Sequence, residues 1–294
     1  MIISIRSFFV RVIILIFILA LITAILGPFI YSLGRSLNTP SGISLSSYKS
    51  ILQDNIFRIS LYNSIIYTIC TVIGQLMLGI FCAYMIEKFT LYKRDSMLLL
   101  IAFFLPYTIP TAIIVLSWNF LLESNGLFAQ FFSLFGIPNS YWKSNYIIVS
   151  LIIVSIWAYF PFVFLSLLAR IKKIPIATYN SAQLDGANGI RLFFKVTLPV
   201  ISHTLLIILL LRIAFMFTKF DLPWYFMGNK DFLFNLIPTF IGKRAIYINV
   251  ENKVIASQNF AIAVTTGVTL LIICILIFIF LNSIIFKKAK YSSK

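Results

Sequence analysis

The sequence predicts an all-α integral membrane protein built as a bundle of six transmembrane helices. Hydrophobic residues make up 61% of its 294 residues and charged residues only 11%, and the mean hydropathy is +1.01. This composition excludes a soluble globular domain. A spanning helix needs about 20 mostly apolar residues, because inside a bilayer only internal hydrogen bonds can satisfy the backbone.

Five runs without a charged residue reach that length: Val12–Tyr31, Ile59–Ile86, Ser96–Leu122, Asn145–Ala169 and Phe260–Phe286. A sixth span, Val200 to about Phe217, is interrupted only by Arg212 and lies fifth in chain order. An ionisable side chain inside a span usually faces a partner or a wet cavity. Asp221 lies nine residues further on, two and a half turns of a helix, so we expect the partner of Arg212 on another helix or another subunit.

The first helix, predicted over about 8–33, begins like a signal peptide. Arg6 and Arg11 precede its apolar run, but no small-residue cleavage site follows, so we expect it to be retained. The core helices are predicted within about 59–286, and 1–294 is expected to form a single transmembrane domain.

The loops predict the orientation, since cytoplasmic loops retain Lys and Arg. One side collects the larger share of them: Arg6, Arg11, Lys88, Lys93, Arg94, Arg170, Lys172, Lys173, Arg191, Lys195, Lys287, Lys288, Lys290 and Lys294. Both termini are therefore predicted to be cytoplasmic, which agrees with an even number of spans. The net charge of +16 is explained by topology, and its scatter over short loops argues against nucleic acid as a partner.

Little in the chain is suited to catalysis or metal binding. The three cysteines lie inside apolar runs without metal-ligand spacing, and there is a single histidine, His203. We therefore predict no catalytic residue, no metal and no cofactor bound by this chain. Prolines fall inside the third span (Pro106, Pro110) and the fourth (Pro161), where they favour kinks that either shape the bundle or mark a moving element.

The loop between the fourth and fifth spans, about 170–199, is the most informative segment. It reads ARIKKIPIATYNSAQLDGANGIRLFFKVTLP from Ala169. Its first part predicts a helix that begins near Pro175 and ends at a turn; the residues that share its face are Ile176, Tyr179, Ala182 and Gln183, and the turn is Asp185-Gly186. A second short helix is predicted, with Asn188 as its cap, an apolar side of Phe193, Phe194 and Val196, and Pro199 at the entry to the next span. An amphipathic helix lying on lipid headgroups is the alternative interpretation.

These residues resemble the EAA loop of permeases of ATP-binding-cassette importers. That motif is Glu-Ala-Ala, three residues, Gly, nine residues, then Ile-x-Leu-Pro, and here the matching positions are Asn180, Ser181, Ala182, Gly186, Val196, Leu198 and Pro199. Further segments look like the carbohydrate branch, particularly maltose-type permeases: ISLSSYKSILQDNIF from Ile43, LPYTIPTAIIVLSWNFLLESNGLFAQ from Leu105, VSIWAYFPFVFLSLLA from Val154 and LRIAFMFTKFDLPWYF from Leu211. The chain departs from the pattern at Asn180 and Ser181, and has Gly228-Asn229-Lys230 where Gly-Gly-Pro is usual.

The resemblance implies a type I importer permease in the bacterial inner membrane, whose loop is a coupling helix docking on a separate ATPase. The coupling residues would be Tyr179, Asn180, Ser181, Ala182, Asp185, Gly186, Ala187, Leu198 and Pro199. It implies as partners a second homologous permease, two ATPase subunits that hold ATP and Mg, and an extracytoplasmic solute-binding protein. At Gly186, an ordinary helix-ending glycine is the alternative to a coupling role.

A sugar or sugar-like solute is the expected cargo. Candidate residues of its path are Trp118, Asn119, Trp157, Arg212, Phe217, Phe220, Asp221 and Trp224, although aromatic residues are also common in bundle cores and at membrane interfaces. Three alternatives stay open: a permease for a non-sugar solute, a secondary transporter and a membrane-embedded enzyme. The sequence has no Walker A motif for binding ATP, no acidic relay inside a span and no catalytic His and carboxylate set.

Overall fold

A computed structural model describes residues 2–39, 42–89, 95–123, 126–136, 146–227, 236–239 and 241. The predicted span Phe260–Phe286 and the segment Gly228-Asn229-Lys230 lie outside these residues. The described helices are α1 (Ile2–Leu37), α2 (Ser46–Gln53), α3 (Asn55–Phe89), α4 (Asp95–Thr108), α5 (Thr111–Leu122), α6 (Leu127–Ser133), α7 (Ile147–Ile171), α8 (Ile176–Leu184), α9 (Ile190–Leu192), α10 (Leu198–Phe217) and α11 (Asp221–Met227).

A short β-hairpin departs from the predicted all-α class. Strands β1 (Asn38–Thr39) and β2 (Gly42–Ile43) pair antiparallel, with Asn38 opposite Ile43 and Thr39 opposite Gly42. The sequence analysis did not anticipate this hairpin. It is two residues deep, and the rest of the assigned secondary structure in the described residues is helical.

Four helical stretches in the described residues are long and apolar enough to cross a membrane: Val10–Leu37, Asn55–Glu87, Ile147–Ile171 and Ile190–Phe217. The pair Met97–Thr108 and Thr111–Leu122 makes a fifth if the two halves form one span. The helical and membrane-spanning character of the chain is thereby confirmed. The total of six spans and the cytoplasmic position of both termini stay predictions.

The third predicted span is broken, not merely kinked. α4 and α5 meet at an angle of 98°, with the break directly before Pro110, whose ψ of 138° is not helical. Proline cannot donate a backbone hydrogen bond, and it disfavours the helical conformation at the residue before it, here Ile109. Pro106 and Pro161 lie inside α4 and α7, so proline alone does not break a helix here.

The described residues fall into two compact units, one reaching Arg58 and the other comprising Ile59–Thr239. Within the second unit α7 is the central helix, and 61% of its most apolar window is buried. The division falls within α3, and a single domain over 1–294 stays a prediction. The first unit contains α1, most of whose described apolar side chains are exposed, such as Phe17 at 63%, as expected of a helix that contacts lipid.

Close packing of α3 against α7 depends on two glycines. A Cβ added at Gly79 would come within 2.7 Å of Val163 Cγ1, and one added at Gly74 would collide with the Ile156 side chain. Small residues let helices approach closely in membranes, where van der Waals packing drives association. The backbones of α3 and α7 therefore lie close enough for their buried polar side chains to meet.

The loop after α7 differs in part from its prediction. α8 begins at Ile176, directly after Pro175, as expected. The prediction for the second helix is wrong in two respects. Gly189, not Asn188, is the residue before its first turn, and the helix is not a separate element. It continues through a π-helical turn, Phe193–Thr197, into α10. The turn lies just before Pro199, which has no backbone N–H to donate.

Cysteine labelling tests the predicted orientation. In a background lacking Cys70, Cys82 and Cys274, we expect a membrane-impermeant maleimide added to intact cells to label Ser133→Cys but not Asn180→Cys, since both positions are exposed and the positive-inside rule places them on opposite sides. Asn180→Cys should react once the membrane is permeabilised. The reverse labelling pattern would show that the topology is opposite to the predicted one. Labelling of both positions from outside would require an even number of membrane crossings between them.

Candidate functional site

The end of α8 is fixed by its backbone. The N–H of Gly186 donates to the Gln183 carbonyl and the N–H of Ala187 to the Ala182 carbonyl, both at 2.9 Å. This is the Schellman arrangement, which needs a left-handed residue after the helix. Gly186 provides it with a φ of +80°, while a Cβ added there would meet no atom within 4 Å. The glycine is needed for its conformation and not for space within this chain.

Most of the surface of α8 is exposed. None of its residues is buried, and Asn180, Ser181, Asp185, Gly186 and Pro199 are exposed, whereas Ala187 is buried and Tyr179, Ala182 and Leu198 are half-buried. Of the four residues predicted to share one face of this helix, only Tyr179 and Ala182 are half-buried. Ile176 is 75% exposed and Gln183 is also exposed, because nothing in the described residues covers that side of so short a helix.

Two tyrosines attach the loop to the bundle. The Tyr179 hydroxyl lies 3.2 Å from the Thr197 hydroxyl, and burial raises the pKa of Tyr179. Tyr84, near the end of α3, packs edge-on against Phe193 with 4.9 Å between ring centroids and makes a long hydrogen bond of 3.4 Å to the Gly189 carbonyl. α8 and the turn that follows it are thus held between α3 and the start of α10.

The sequence analysis anticipated neither Tyr84 nor Thr197. For Tyr84, no local pattern connects a residue on α3 to a loop more than 100 positions away. The predicted apolar side of the second helix is right for Val196, which is 8% exposed, and wrong for Phe194, which is 59% exposed. Phe194 instead packs against Phe193 at 5.2 Å. The π-helical turn shifts the side-chain register, so a 3.6-residue period does not describe this segment.

A buried polar network joins α3, α7 and α10. Arg212 Nε donates to Gln75 Oε1 at 2.8 Å, and Gln75 Nε2 donates to the Ser155 carbonyl at 3.0 Å. The Tyr67 hydroxyl lies 2.9 Å from the Ser155 hydroxyl. Gln75, Tyr67 and Ser155 are fully buried and Arg212 is 3% exposed. The partner of Arg212 is thus on another helix, as expected.

Aromatic rings surround the Arg212 guanidinium. Its central carbon lies 5.0 Å from the Phe215 ring centroid, 5.4 Å from Phe162 and 5.6 Å from Tyr159. Such contacts are worth about 0.5–2 kcal/mol each, and they stabilise the charge without neutralising it. Nη2 is buried and has no hydrogen-bond partner. The site therefore holds an incompletely compensated positive charge, which is costly inside a membrane protein.

A second polar cluster forms where α5 and α11 begin. Lys219 Nζ lies 2.8 Å from Asp221 Oδ1 and 3.1 Å from Oδ2, and the Thr111 hydroxyl donates to Oδ2 at 2.8 Å. Thr111 is the first residue after the break at Pro110, so the broken helix delivers this hydroxyl to Asp221. The Lys219 ammonium also lies over Tyr159, at 4.6 Å from the ring centroid, and over Phe215, at 4.9 Å.

The predicted path residues do not form one continuous surface. Trp118 is 7% exposed and Phe217 4% exposed, so both belong to the packed interior; Trp118 contacts Trp157 at 5.7 Å between centroids. Asn119 is half-buried, with an unpaired buried carbonyl oxygen. Phe220 stacks on Trp224 at 5.1 Å and is 39% exposed. Lys219 links Asp221 to the surroundings of Arg212. It pairs with Asp221 and lies over the rings of Tyr159 and Phe215, which Arg212 also contacts.

No group of three or more potential metal ligands occurs in the part of the chain that the structure describes. The features assembled there are apolar spans, one of them broken, a buried cationic network and an exposed, sharply terminated loop helix. Together they define a polytopic membrane protein of the transporter class. The chain belongs to the family of binding-protein-dependent transport system inner membrane components, whose model matches residues 75–290.

Individual relatives agree with this assignment. The chain is 28% identical to the sulfoquinovosyl glycerol transport system permease protein SmoG of Agrobacterium fabrum over 208 residues, covering 68% of this chain and 67% of that protein. It is 29% identical to the inner membrane ABC transporter permease protein YcjO of Escherichia coli over 212 residues, covering 66% and 70%. Both relatives are named as permease proteins.

Solved structures share the fold. A chain of a bacterial ABC transporter involved in the import of the acidic polysaccharide alginate superposes with a TM-score of 0.82 at 20% identity, over 96% of both chains. A bacterial alginate ABC transporter in complex with an alginate pentasaccharide-bound periplasmic protein gives a TM-score of 0.78 at 21% identity, over 95% of this chain and 94% of that one.

A double-mutant cycle tests the network. We expect Gln75→Leu to lower the free energy of unfolding by about 1–3 kcal/mol, because it leaves the Arg212 guanidinium buried without its hydrogen bond. The double variant with Arg212→Leu should be less destabilised than Gln75→Leu alone, since the charge is removed as well. Thermal unfolding of the purified protein in detergent measures both.

Gln53→Leu makes the same substitution at an exposed position of α2 and should leave the unfolding midpoint nearly unchanged. Strictly additive effects of Gln75→Leu and Arg212→Leu would show that the two side chains do not interact as described.

Proposed function

We propose that this chain is the membrane-spanning permease subunit of an ATP-binding-cassette importer for a sugar or sugar-like solute, and that the loop 170–199 couples it to a separate ATPase. The exposed α8 helix with its fixed C-terminal turn is the observation that carries the coupling role. A lever that transmits motion must be stiff, accessible and firmly attached to moving helices. α8 meets these requirements through Gly186, its exposed surface and the contacts of Tyr179 and Tyr84.

The relatives support the class of solute. SmoG is named for transport of sulfoquinovosyl glycerol, a UgpA protein that is 25% identical over 177 residues is named for sn-glycerol-3-phosphate, and the structural neighbours import alginate. A sugar-type solute is the cargo that these names share. The solute path is proposed to run beside the buried network of Arg212 and the Lys219–Asp221 pair.

The partners follow from the same proposal. A second homologous permease completes the membrane domain, two ATPase subunits bind ATP and Mg and hydrolyse the ATP, and an extracytoplasmic binding protein delivers the solute. The structural neighbour with a bound periplasmic protein supports the last of these. In the bacterial inner membrane, with six spans and both termini cytoplasmic, α8 would face the ATPase. Asn180 would contact it by neutral hydrogen bonding where the family pattern has Glu.

Substitution of Gly186 tests the coupling role. Gly186→Val forces a β-branched residue to a φ of +80°, at a cost of about 1–2 kcal/mol, and so disturbs the end of α8. In a complex co-purified with the sister permease and the ATPase, we expect Gly186→Val to leave the subunits associated. Stimulation of ATP hydrolysis by the loaded binding protein should fall by about tenfold, the equivalent of losing roughly 1.4 kcal/mol of coupling.

Gly136→Val is the matched control, since Gly136 also has a positive φ, +78°, and open space around its Cα, but lies outside the loop. It should retain stimulation. Equal losses in both variants would trace the effect to general backbone strain and refute the coupling role. Failure of any ATPase to associate with the wild-type chain would favour a transporter that works without one.

A further inference from the structure

The Arg212 guanidinium is a buried cation with unused hydrogen-bonding capacity. It is 3% exposed, Gln75 binds its Nε, and its Nη2 has no partner. A guanidinium carries five N–H donors in a planar fork that matches the paired oxygens of an anion. Gln75 holds the Nε end of the guanidinium and restrains its plane, so the unpaired Nη2 donors point in a fixed direction.

Within the described residues, no carboxylate pairs with Arg212. Asp221 is occupied, since Lys219 contacts both of its oxygens and Thr111 donates to one of them. The sequence likewise offers Arg212 no carboxylate partner within the predicted spans, because none of the six contains Asp or Glu. The counter-charge of Arg212 must therefore come from outside the spans of this chain.

The surrounding charges add to this imbalance. Arg212 and Lys219 lie over the same two rings, those of Tyr159 and Phe215. Among the described residues this cluster holds two cations and one carboxylate, Asp221, which pairs with Lys219, so the cluster has a net positive charge. Positive charge lined by aromatic faces suits a solute that combines an anionic group with the apolar face of a sugar ring.

We infer that Arg212 binds an anionic group of the transported solute, a carboxylate, phosphate or sulfonate, through its unpaired Nη2 donors. The inference deepens the proposed function and rests on it for the presence of a solute path. Phe215, at 43% the most exposed of the three rings around the guanidinium, would have to turn aside to admit the anion. Lys219 is already paired with Asp221. It adds to the positive electrostatic potential around the solute without binding the solute directly.

The test compares matched probes that differ in charge. Glucuronate is paired with glucose, and glycerol 3-phosphate with glycerol, and each is titrated against the purified permease and ATPase complex without binding protein. Omitting the binding protein removes its own selectivity from the measurement. The shift of the thermal unfolding midpoint with probe concentration gives an apparent dissociation constant. We expect the anionic member of at least one pair to bind about tenfold or more tightly than its neutral counterpart.

Variants then assign the preference to Arg212. Arg212→Gln should abolish it, and Arg212→Lys should retain it in weaker form, because lysine keeps the charge but loses the planar fork. Arg58→Gln makes the same change at an exposed arginine and should leave the preference intact. The wild-type comparison needs no variant, so the inference remains testable if Arg212→Gln does not fold.

The inference is overturned if neither anionic probe binds more tightly than its neutral counterpart, or if Arg212→Gln keeps the preference. Loss of the sister permease from the Arg212→Gln complex would assign the guanidinium to a carboxylate of that subunit, which also overturns it. An intact, ATPase-bound complex without anion preference would leave the proposed function standing. Absence of any ATPase partner would instead refute the proposed function.

Discussion

The hydrogen bond between Arg212 and Gln75 connects a permanent charge on α10 to a buried amide on α3. Few arrangements can hold such a charge away from water, since each donor left unpaired costs free energy. Gln75 in turn donates to the Ser155 carbonyl on α7 at 3.0 Å. Three spans are therefore joined through one side chain, and their relative positions are constrained by its geometry.

The need to hold the Arg212 charge among these three spans also explains the features around the hydrogen bond between Arg212 and Gln75. Gln75 can reach α7 because Gly74 and Gly79 let α3 approach it closely. The break at Pro110 places Thr111 beside Asp221, and Asp221 fixes Lys219 over the rings that also face Arg212. An unbroken third span would carry Thr111 within a straight helix and leave this cluster without its hydroxyl.

The loop meets a different physical requirement, which is stiffness at a surface. Two glycines with positive φ, Gly186 and Gly189, bracket its turn, and the chain then runs through a π-helical turn directly into α10. Motion at α8 would therefore pass to the helix that carries Arg212. Arg212 and the second half of the loop lie on one continuous helical stretch, Ile190–Phe217, which would join the proposed solute contact to the turn that follows α8.

The sequence by itself determined the helical membrane class, most spans and the turn at Gly186. These features depend on local composition and on backbone conformation, which a run of apolar residues or a single glycine specifies. It also singled out Arg212, because a charge in an apolar run is visible without a fold. The family resemblance singled out the loop from the spacing and the residues of its motif.

Only the tertiary structure decided what those residues contact. Gln75 and Tyr84 look like ordinary residues of an apolar helix, and their roles come from partners more than 100 positions away. The 98° break at Pro110 could not be distinguished from a kink, because Pro106 and Pro161 carry the same local signal inside continuous helices. Likewise, Trp118 and Phe217 were candidates for the path and lie in the core, since packing, not residue type, determines which face a helix buries.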